Sequence, residues 1–129
     1  MSDSRYLAIL LFMFVPLSSC HNVEKRIQNF DENKIKFDYK SLDDNGLVGS
    51  VDGKRSISYE FCLPNDIKLK RAVMVIDSSL KFQQGRGRSN CSDKEILAIG
   101  NTHQAQAQRV LENLASLDYI REISETYWE

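Results

Sequence analysis

SISYEFCL, residues 56–63, alternates between apolar and polar side chains over its whole length. In an extended chain, successive side chains point to opposite faces. One face carries the larger apolar residues Ile57, Tyr59, Phe61 and Leu63, and the other carries Ser58, Glu60 and Cys62. This period of two predicts a half-buried β-strand, which ends at Pro64.

Two more strands are predicted on the N-terminal side. Residues 34–40 alternate strictly between lysine or aspartate and a large apolar residue, and residues 47–51 read LVGSV. The turn signals Asp44-Asn45-Gly46 and Asp52-Gly53 separate these stretches, and the second is typical of a type I′ hairpin. We therefore predict three sequential antiparallel strands before Pro64.

The C-terminal half predicts helices and strands in alternation. Residues 66–77 have apolar residues at helical spacing behind a capping Asn65 or Asp66, although the run AVMVI within them also fits a strand. Residues 81–94 predict a loop, and residues 96–99 a short strand that ends at Gly100. A helix capped by Asn101 or Thr102 then carries an apolar stripe, and residues 120–128 predict a last strand.

This order of elements predicts the α+β class for a single domain over residues 34–129. We expect a two-layer sandwich in which a mixed, mostly antiparallel sheet carries both helices on one face.

Before this domain, residues 7–17 (LAILLFMFVPL) form an uncharged apolar run. The run is too short to span a bilayer, for which about 20 residues are needed, but it fits the hydrophobic region of a secretory signal. An N-terminal buried helix ending at Pro16 is the alternative. Leu17-Ser18-Ser19-Cys20 resembles the lipobox of bacterial lipoproteins, which is two small residues between an aliphatic residue and a cysteine.

The lipobox resemblance implies a signal peptide over residues 1–19 and a lipid-modified Cys20 as the mature N-terminus. The attached acyl chains, palmitate among them, would anchor the protein in a membrane, with residues 20–33 as a polar tether. The residue after the cysteine is His21 rather than aspartate. In this family that implies the outer membrane of the cell envelope.

The cysteine count agrees with export. The chain has three cysteines, and lipidation of Cys20 leaves Cys62 and Cys91 as one candidate disulfide in an oxidising compartment. Such a bridge, closing a loop of about 30 residues, would contribute roughly 3–4 kcal/mol. Two buried thiols remain the alternative.

Charge and motifs exclude several functions. The 17 basic and 18 acidic residues leave a net charge of −1, which favours neither nucleic acid nor an anionic membrane. The sequence has no metal-ligand spacing, so we expect no metal and no cofactor. No serine lies in a nucleophile-elbow motif, and no catalytic residue is assigned. Glu60 could act as an acid or base, but an outward glutamate on a strand is usually solvated.

Two segments are candidate binding sites. Arg86 and Arg88 alternate with glycine in residues 84–91 and could hold a carboxylate or phosphate, or could pair with local acids in a solvent loop. Asn101, Thr102 and His103 lie where a strand is predicted to run into a helix, whose free amides could bind an anion. Simple helix capping is the alternative there.

The sequence therefore favours a non-catalytic binding module for a protein or a cell-envelope component, anchored to the membrane by lipid, with no nucleic-acid partner. The first alternative is a domain that binds a small anionic ligand, using the arginines and the helix start at Thr102. The second is a hydrolase centred on His103.

Overall fold

The computed structural model of the protein describes residues 30–126. The predicted signal peptide, Cys20 and most of the tether lie outside the described residues, as do Tyr127 and Trp128 at the end of the predicted last strand. The described part contains two α-helices and one four-stranded sheet, which confirms the α+β class.

The helices and strands follow one another in the order strand, helix, strand, strand, helix, strand. Their bounds are β1 Ser58–Pro64, α1 Ile67–Ile76, β2 Lys81–Gln83, β3 Glu95–Asn101, α2 Ala107–Ala115 and β4 Ser124–Glu125. The strand order in the sheet is β2-β3-β1-β4, and every pairing between these strands is antiparallel. The one parallel pairing in residues 30–126 is an isolated bridge between Ile35 and Ile123.

The core lies between the sheet and the two helices. The alternation in residues 56–63 places Tyr59, Phe61 and Leu63 of β1 fully inside, as expected from its period of two. They belong to one buried cluster with side chains from β3 and from both helices, among them Ala98, Val73, Leu111 and Leu114. Both helices therefore cover the same face of the sheet.

The opposite face, called the far face below, carries Glu60, Cys62, Leu97 and Ile99. The register of β1 against β3 pairs Cys62 with Leu97 and Glu60 with Ile99, so these four side chains are neighbours. The far face has a small apolar cluster of its own, and the second half-cystine, Cys91, completes it. Two features predicted from the sequence, the β1 strand and the disulfide, meet there.

Helix α1 confirms the helical alternative for residues 66–77. The side chain of Asp66 accepts hydrogen bonds from the backbone N–H groups of Lys68 (2.8 Å) and Leu69 (3.2 Å), which caps two otherwise unpaired donors. Val73 is buried, and Leu69 and Ile76 pack beside it against the core.

The first predicted strand, residues 34–40, is wrong. Two short 3-10 turns, Glu32–Lys34 and Tyr39–Ser41, occupy this stretch, and only Ile35 makes a bridge. Asp31 and Asp38 accept hydrogen bonds from groups two or three residues further on, which stabilises turns instead of an extended chain. The alternation nevertheless marks burial correctly at Ile35 and Tyr39, because both enter the core.

The second predicted strand, residues 47–51, is also wrong. A single bridge joins Val48 to Arg55, closed by two hydrogen bonds of 2.8 and 2.9 Å. Gly49 has a φ of 110°, and the backbone N–H of Gly53 bonds back to the carbonyl of Ser50. The Asp52-Gly53 turn thus reverses the chain, but too few residues on either side pair to make a ladder.

The second helix begins later than predicted. Neither Asn101 nor Thr102 caps it, because α2 begins at Ala107, after Gln106 in the left-handed conformation (φ 56°). Strand β3 instead continues to Asn101. β2 arises within the predicted loop 81–94, and β4 is only two residues long. No helix in residues 30–126 has the length and apolarity to cross a membrane.

Candidate functional site

The arginine loop, residues 84–91, lies across the far face of the sheet. A disulfide between Cys62 and Cys91 joins the end of the loop to the middle of β1, as predicted. The loop closes on itself through a 2.9 Å hydrogen bond from the N–H of Cys91 to the carbonyl of Arg86. The loop is therefore attached to the sheet covalently and is folded compactly at its attached end.

Glu60 provides a second attachment beneath the loop. Its side chain is on the far face of β1, yet the residue is only 2% exposed. Oε2 accepts a 3.1 Å hydrogen bond from the backbone N–H of Ser89, and Oε1 accepts a 2.9 Å bond from the hydroxyl of Thr126. The buried carboxylate thus joins the loop to the C-terminal segment. A solvated glutamate, the ordinary expectation for an outward strand residue, is not what the structure shows.

Gly87 permits this close approach of loop and sheet. Its φ of 58° lies in the left-handed region, and a Cβ at this position would lie 2.4 Å from Oε2 of Glu60 and 2.8 Å from a methyl group of Leu97. A side chain here would force Glu60 and Leu97 to shift and would strain the backbone in its left-handed conformation. The glycine between the two arginines is therefore a packing requirement.

Arg86 lines an open cleft next to the disulfide. The cleft holds about 200 Å³, and Arg86 together with Asp93 also lines an adjoining depression of about 280 Å³. Other residues around the cleft come from the ends of β1 and β2 and from the start of β3, namely Asn65, Gln84, Ser92 and Glu95. Arg86 is exposed, and among residues 30–126 no carboxylate forms an ion pair with it. Arg88 is exposed as well.

The acidic side of the cleft is held in a fixed geometry. Glu95 accepts two hydrogen bonds from the guanidinium of Arg121, at 2.7 and 3.3 Å, and one of 2.9 Å from the N–H of Ser92. Burial acts to raise the pKa of Glu95, but these donors outweigh it and leave the pKa below the ordinary value. Glu95 is therefore ionised and already paired, which leaves Arg86 as the cation that a ligand would meet.

Asn101, Thr102 and His103 lie at the other end of β3. The cleft contains Glu95, the first residue of that strand, whereas Asn101 is its last residue. At about 3.4 Å per residue, the two ends of the strand are roughly 20 Å apart. The structure therefore does not bring the arginine loop and the predicted helix start into one site.

Thr102 joins three segments of the core. Its hydroxyl donates to the carbonyl of Gly46 (2.7 Å) and accepts from the N–H of Ile57 (2.8 Å), and the residue is fully buried. Gly46 fits against it with a φ of 76°, since a Cβ there would overlap the carbonyl oxygen of Thr102. The hydroxyl of Thr102 is therefore engaged in the fold and is not free to bind a ligand.

A polar cluster beside Asn101 surrounds the buried carboxylate of Asp77. Oδ1 accepts hydrogen bonds from the N–H and hydroxyl of Ser79 and from the side-chain amide of Gln104, at 2.7 to 3.0 Å. Ser79 and Gln104 also bond to the backbone of Asn101. The cluster thus joins the end of α1 to the end of β3 and satisfies one oxygen of a fully buried aspartate, whereas Oδ2 is buried without a hydrogen-bond partner in the described residues.

His103 is exposed, and its backbone N–H donates to Oδ1 of Asn101. Within residues 30–126 its imidazole has no hydrogen-bonded serine or cysteine, and Cys62 and Cys91 are joined to each other. The described residues also contain no group of three or more histidine, cysteine, aspartate or glutamate side chains arranged to hold a metal.

Comparison with known proteins adds no assignment. No protein-family model matches the chain, and no curated protein matches it. The function must therefore be inferred from the site itself.

Glu60 is the residue whose role sequence reasoning missed. The signal was nevertheless present, because Glu60 and Cys62 share a strand face and Cys91 ends the arginine loop. A disulfide between the two cysteines requires the loop to cross that face and therefore to cover Glu60.

Proposed function

We propose that this protein is an envelope lipoprotein whose folded domain is a non-catalytic binding module. Its contact surface comprises the arginine loop and the cleft beside it, and its partner is a protein or another component of the cell envelope. The lipobox at residues 17–20 supports attachment through Cys20. The Cys62–Cys91 disulfide supports an oxidising compartment, since such bridges persist outside the cytosol.

The observation that carries the proposal is an unpaired arginine on an anchored loop. Arg86 is exposed at the edge of the cleft without an ion pair among residues 30–126, while Cys91 and Ser89 attach the loop to the sheet. A loop that is already ordered loses less conformational entropy when it binds. Arginine is also enriched among the residues that contribute most to protein interfaces, because its guanidinium binds carboxylates with two hydrogen bonds.

The small-anion alternative retains only half of its predicted site. Asn101 and Thr102 are engaged in the fold and lie at the far end of β3, so only the arginine loop remains for an anion. The hydrolase centred on His103 has no serine or cysteine hydrogen-bonded to the imidazole in the described residues. The interaction module therefore has the better support.

The test is a crosslinked pull-down from native envelopes with a tagged protein and its Arg86→Ala/Arg88→Ala variant. Lys36→Ala/Arg109→Ala is the matched control, because it removes two exposed cations elsewhere on the domain. We expect the wild type and the control to capture a specific protein or envelope polymer, and the arginine variant to capture none of it.

Capture of nothing specific by the wild type would contradict the interaction module. In that case, an increase in melting temperature with inorganic phosphate that disappears in the arginine variant would identify a small-anion site. Membrane attachment is tested separately, because Cys20→Ala should abolish incorporation of labelled palmitate and release the protein from the membrane fraction.

A further inference from the structure

The outer surface of α1, called the α1 face below, combines exposed apolar side chains with positive charge. The helix packs on the core through Leu69, Val73 and Ile76. Its opposite side exposes Ile67 (58%) and Val75 (87%), together with Met74 (46%). These are three of the four large apolar side chains exposed in residues 30–126, so the exposure is concentrated on one helix.

The charges on α1 are all of one sign. Ile67–Ile76 contains Lys68, Lys70 and Arg71 and no acidic residue. Lys68 and Arg71 are exposed, and neither forms an ion pair with a carboxylate in the described chain. The net charge of the whole protein is −1, but this local excess is positive.

Helical geometry arranges the two kinds of side chain on the same surface. At 100° per residue, Ile67, Arg71 and Met74 project within about 60° of one another, with Val75 beside them. Lys68 and Lys70 project on either side of this centre, about 100° and 60° from Ile67. Arg71 therefore lies among the apolar side chains, and Lys68 and Lys70 flank them. Such a mixed surface suits a membrane interface, since the long basic side chains reach phosphate groups while the apolar side chains enter the acyl boundary.

We propose that the α1 face docks on an anionic phospholipid surface. Charge complementarity selects this occupant, because anionic headgroups attract cations near the surface and leave the apolar side chains to insert. An acidic protein groove would match the charges as well, but Val75 is 87% exposed, and a deformable acyl boundary can bury such a side chain without a preformed pocket. Docking would lay the domain flat on the membrane surface.

The proposal is independent of the lipid anchor and of the arginine loop. The experiment therefore uses the full chain with Cys20→Ala, which removes the lipidation site, and purified vesicles, from which any protein partner is absent. Partitioning is measured by co-sedimentation with neutral phosphatidylcholine vesicles and with vesicles containing phosphatidylglycerol. Because the apolar run at residues 7–17 would bind both kinds alike, the readout is the ratio of the two partition coefficients.

We expect a higher partition coefficient on anionic vesicles, and a fall of the ratio as salt screens the charges. Each cation near an anionic surface raises the partition coefficient about fivefold, so Lys68→Ala/Arg71→Ala should lower the ratio by about 25-fold. Ile67→Ser/Val75→Ser should lower binding to anionic vesicles with the cations intact. Lys36→Ala/Arg109→Ala should leave the ratio unchanged, since those cations lie outside α1.

Equal partitioning of the parent protein on the two kinds of vesicle would overturn the proposal. So would an equal loss in the α1 variants and in the control, because binding would then follow total charge. An acidic protein crosslinked to the α1 face in envelopes, together with no preference for anionic vesicles, would assign the face to a protein partner.

Discussion

Oε2 of Glu60 accepts a 3.1 Å hydrogen bond from the backbone N–H of Ser89, so a buried carboxylate on β1 holds the arginine loop from below. The Cys62–Cys91 disulfide holds the same loop, two residues beyond Glu60 on β1 and two residues beyond Ser89 in the loop. The two attachments act on one short stretch and leave Arg86, at the opposite end of the loop, exposed beside the cleft. Variants of Glu60 or of the disulfide should therefore change how well the loop is ordered, whereas variants of Arg86 should change only the surface that a ligand meets.

Replacing Glu60 should free the loop and destabilise the domain. Glu60→Ala leaves the N–H of Ser89 without its acceptor in a buried setting, which costs about 1–3 kcal/mol of unfolding free energy. Urea unfolding measures the loss, and amide hydrogen exchange at Ser89 should become faster. Asp118→Ala, which removes an exposed carboxylate, should change stability by less than about 0.5 kcal/mol. Unchanged exchange at Ser89 in Glu60→Ala would show that the carboxylate does not hold the loop.

Opening the disulfide should destabilise the domain. The bridge spans a sequence separation of 29 residues, and restricting an unfolded chain over such a loop contributes roughly 3–4 kcal/mol. The Cys62→Ala/Cys91→Ala variant should lose stability of this order in urea unfolding. Addition of reductant should lower the stability of the wild type and leave that of the variant unchanged. A reductant effect in the variant would point to a cause other than this bridge.

The hydroxyl of Thr102 should contribute more to the free energy of unfolding than its methyl group does. Thr102→Val removes the donor to Gly46 and the acceptor for Ile57 with little change in volume, so we expect a loss of about 1–3 kcal/mol. Thr102→Ser keeps both hydrogen bonds and should cost only about 1 kcal/mol for the lost methyl group. The two variants are compared by urea unfolding. If Thr102→Val were more stable than Thr102→Ser, the hydroxyl would not have the proposed role.

Asp43 should contribute to the acid sensitivity of the fold. A hydrogen bond from the Lys54 ammonium, followed by one from the N–H of Leu47, lowers the pKa of Asp43 from 3.8 to about 2. Because the pKa is lower in the folded state, ionised Asp43 stabilises the fold above about pH 4, and that contribution is lost as the pH falls toward 2.

The pH prediction is checked by NMR titration of the carboxyl group and by unfolding between pH 2 and 7. Asp43→Asn should show a weaker decline of stability than the wild type in the window from pH 4 to 2. Asp44→Asn, at the exposed neighbouring position, is the control. A parallel decline in the wild type and in Asp43→Asn would place the acid sensitivity elsewhere.

Hydrophobic patterning was most reliable where the backbone has few alternatives. The period of two in residues 56–63 correctly predicted β1 and the face that enters the core, and the Asp66 cap with its apolar stripe predicted α1. In residues 34–40 the same period of two marked Ile35 and Tyr39 as buried, but the backbone is turned. Burial requires only that a side chain reach the core, whereas a strand also needs a partner to pair with.

The candidate site shows the same division between residue type and placement. Residue types alone predicted the arginine loop and the Cys62–Cys91 disulfide, and the structure contains that bridge. They also suggested a helix start at Thr102, where the tertiary fold instead uses the threonine to join Gly46 to Ile57. A hydroxyl that caps a helix and one that bridges two segments have the same chemistry, so only the positions of their partners distinguish them.

The sequence by itself determined the α+β class and the β1 strand, and it reduced α1 and the two cysteines to two alternatives each, because all of these depend on local spacing or on residue count. Only the tertiary structure decided that Glu60 is buried beneath the arginine loop, that Arg86 and Thr102 lie at opposite ends of β3, and that α1 exposes Val75. These features depend on which surfaces meet after the chain has folded. Contacts between residues distant in sequence leave no periodic pattern along the chain.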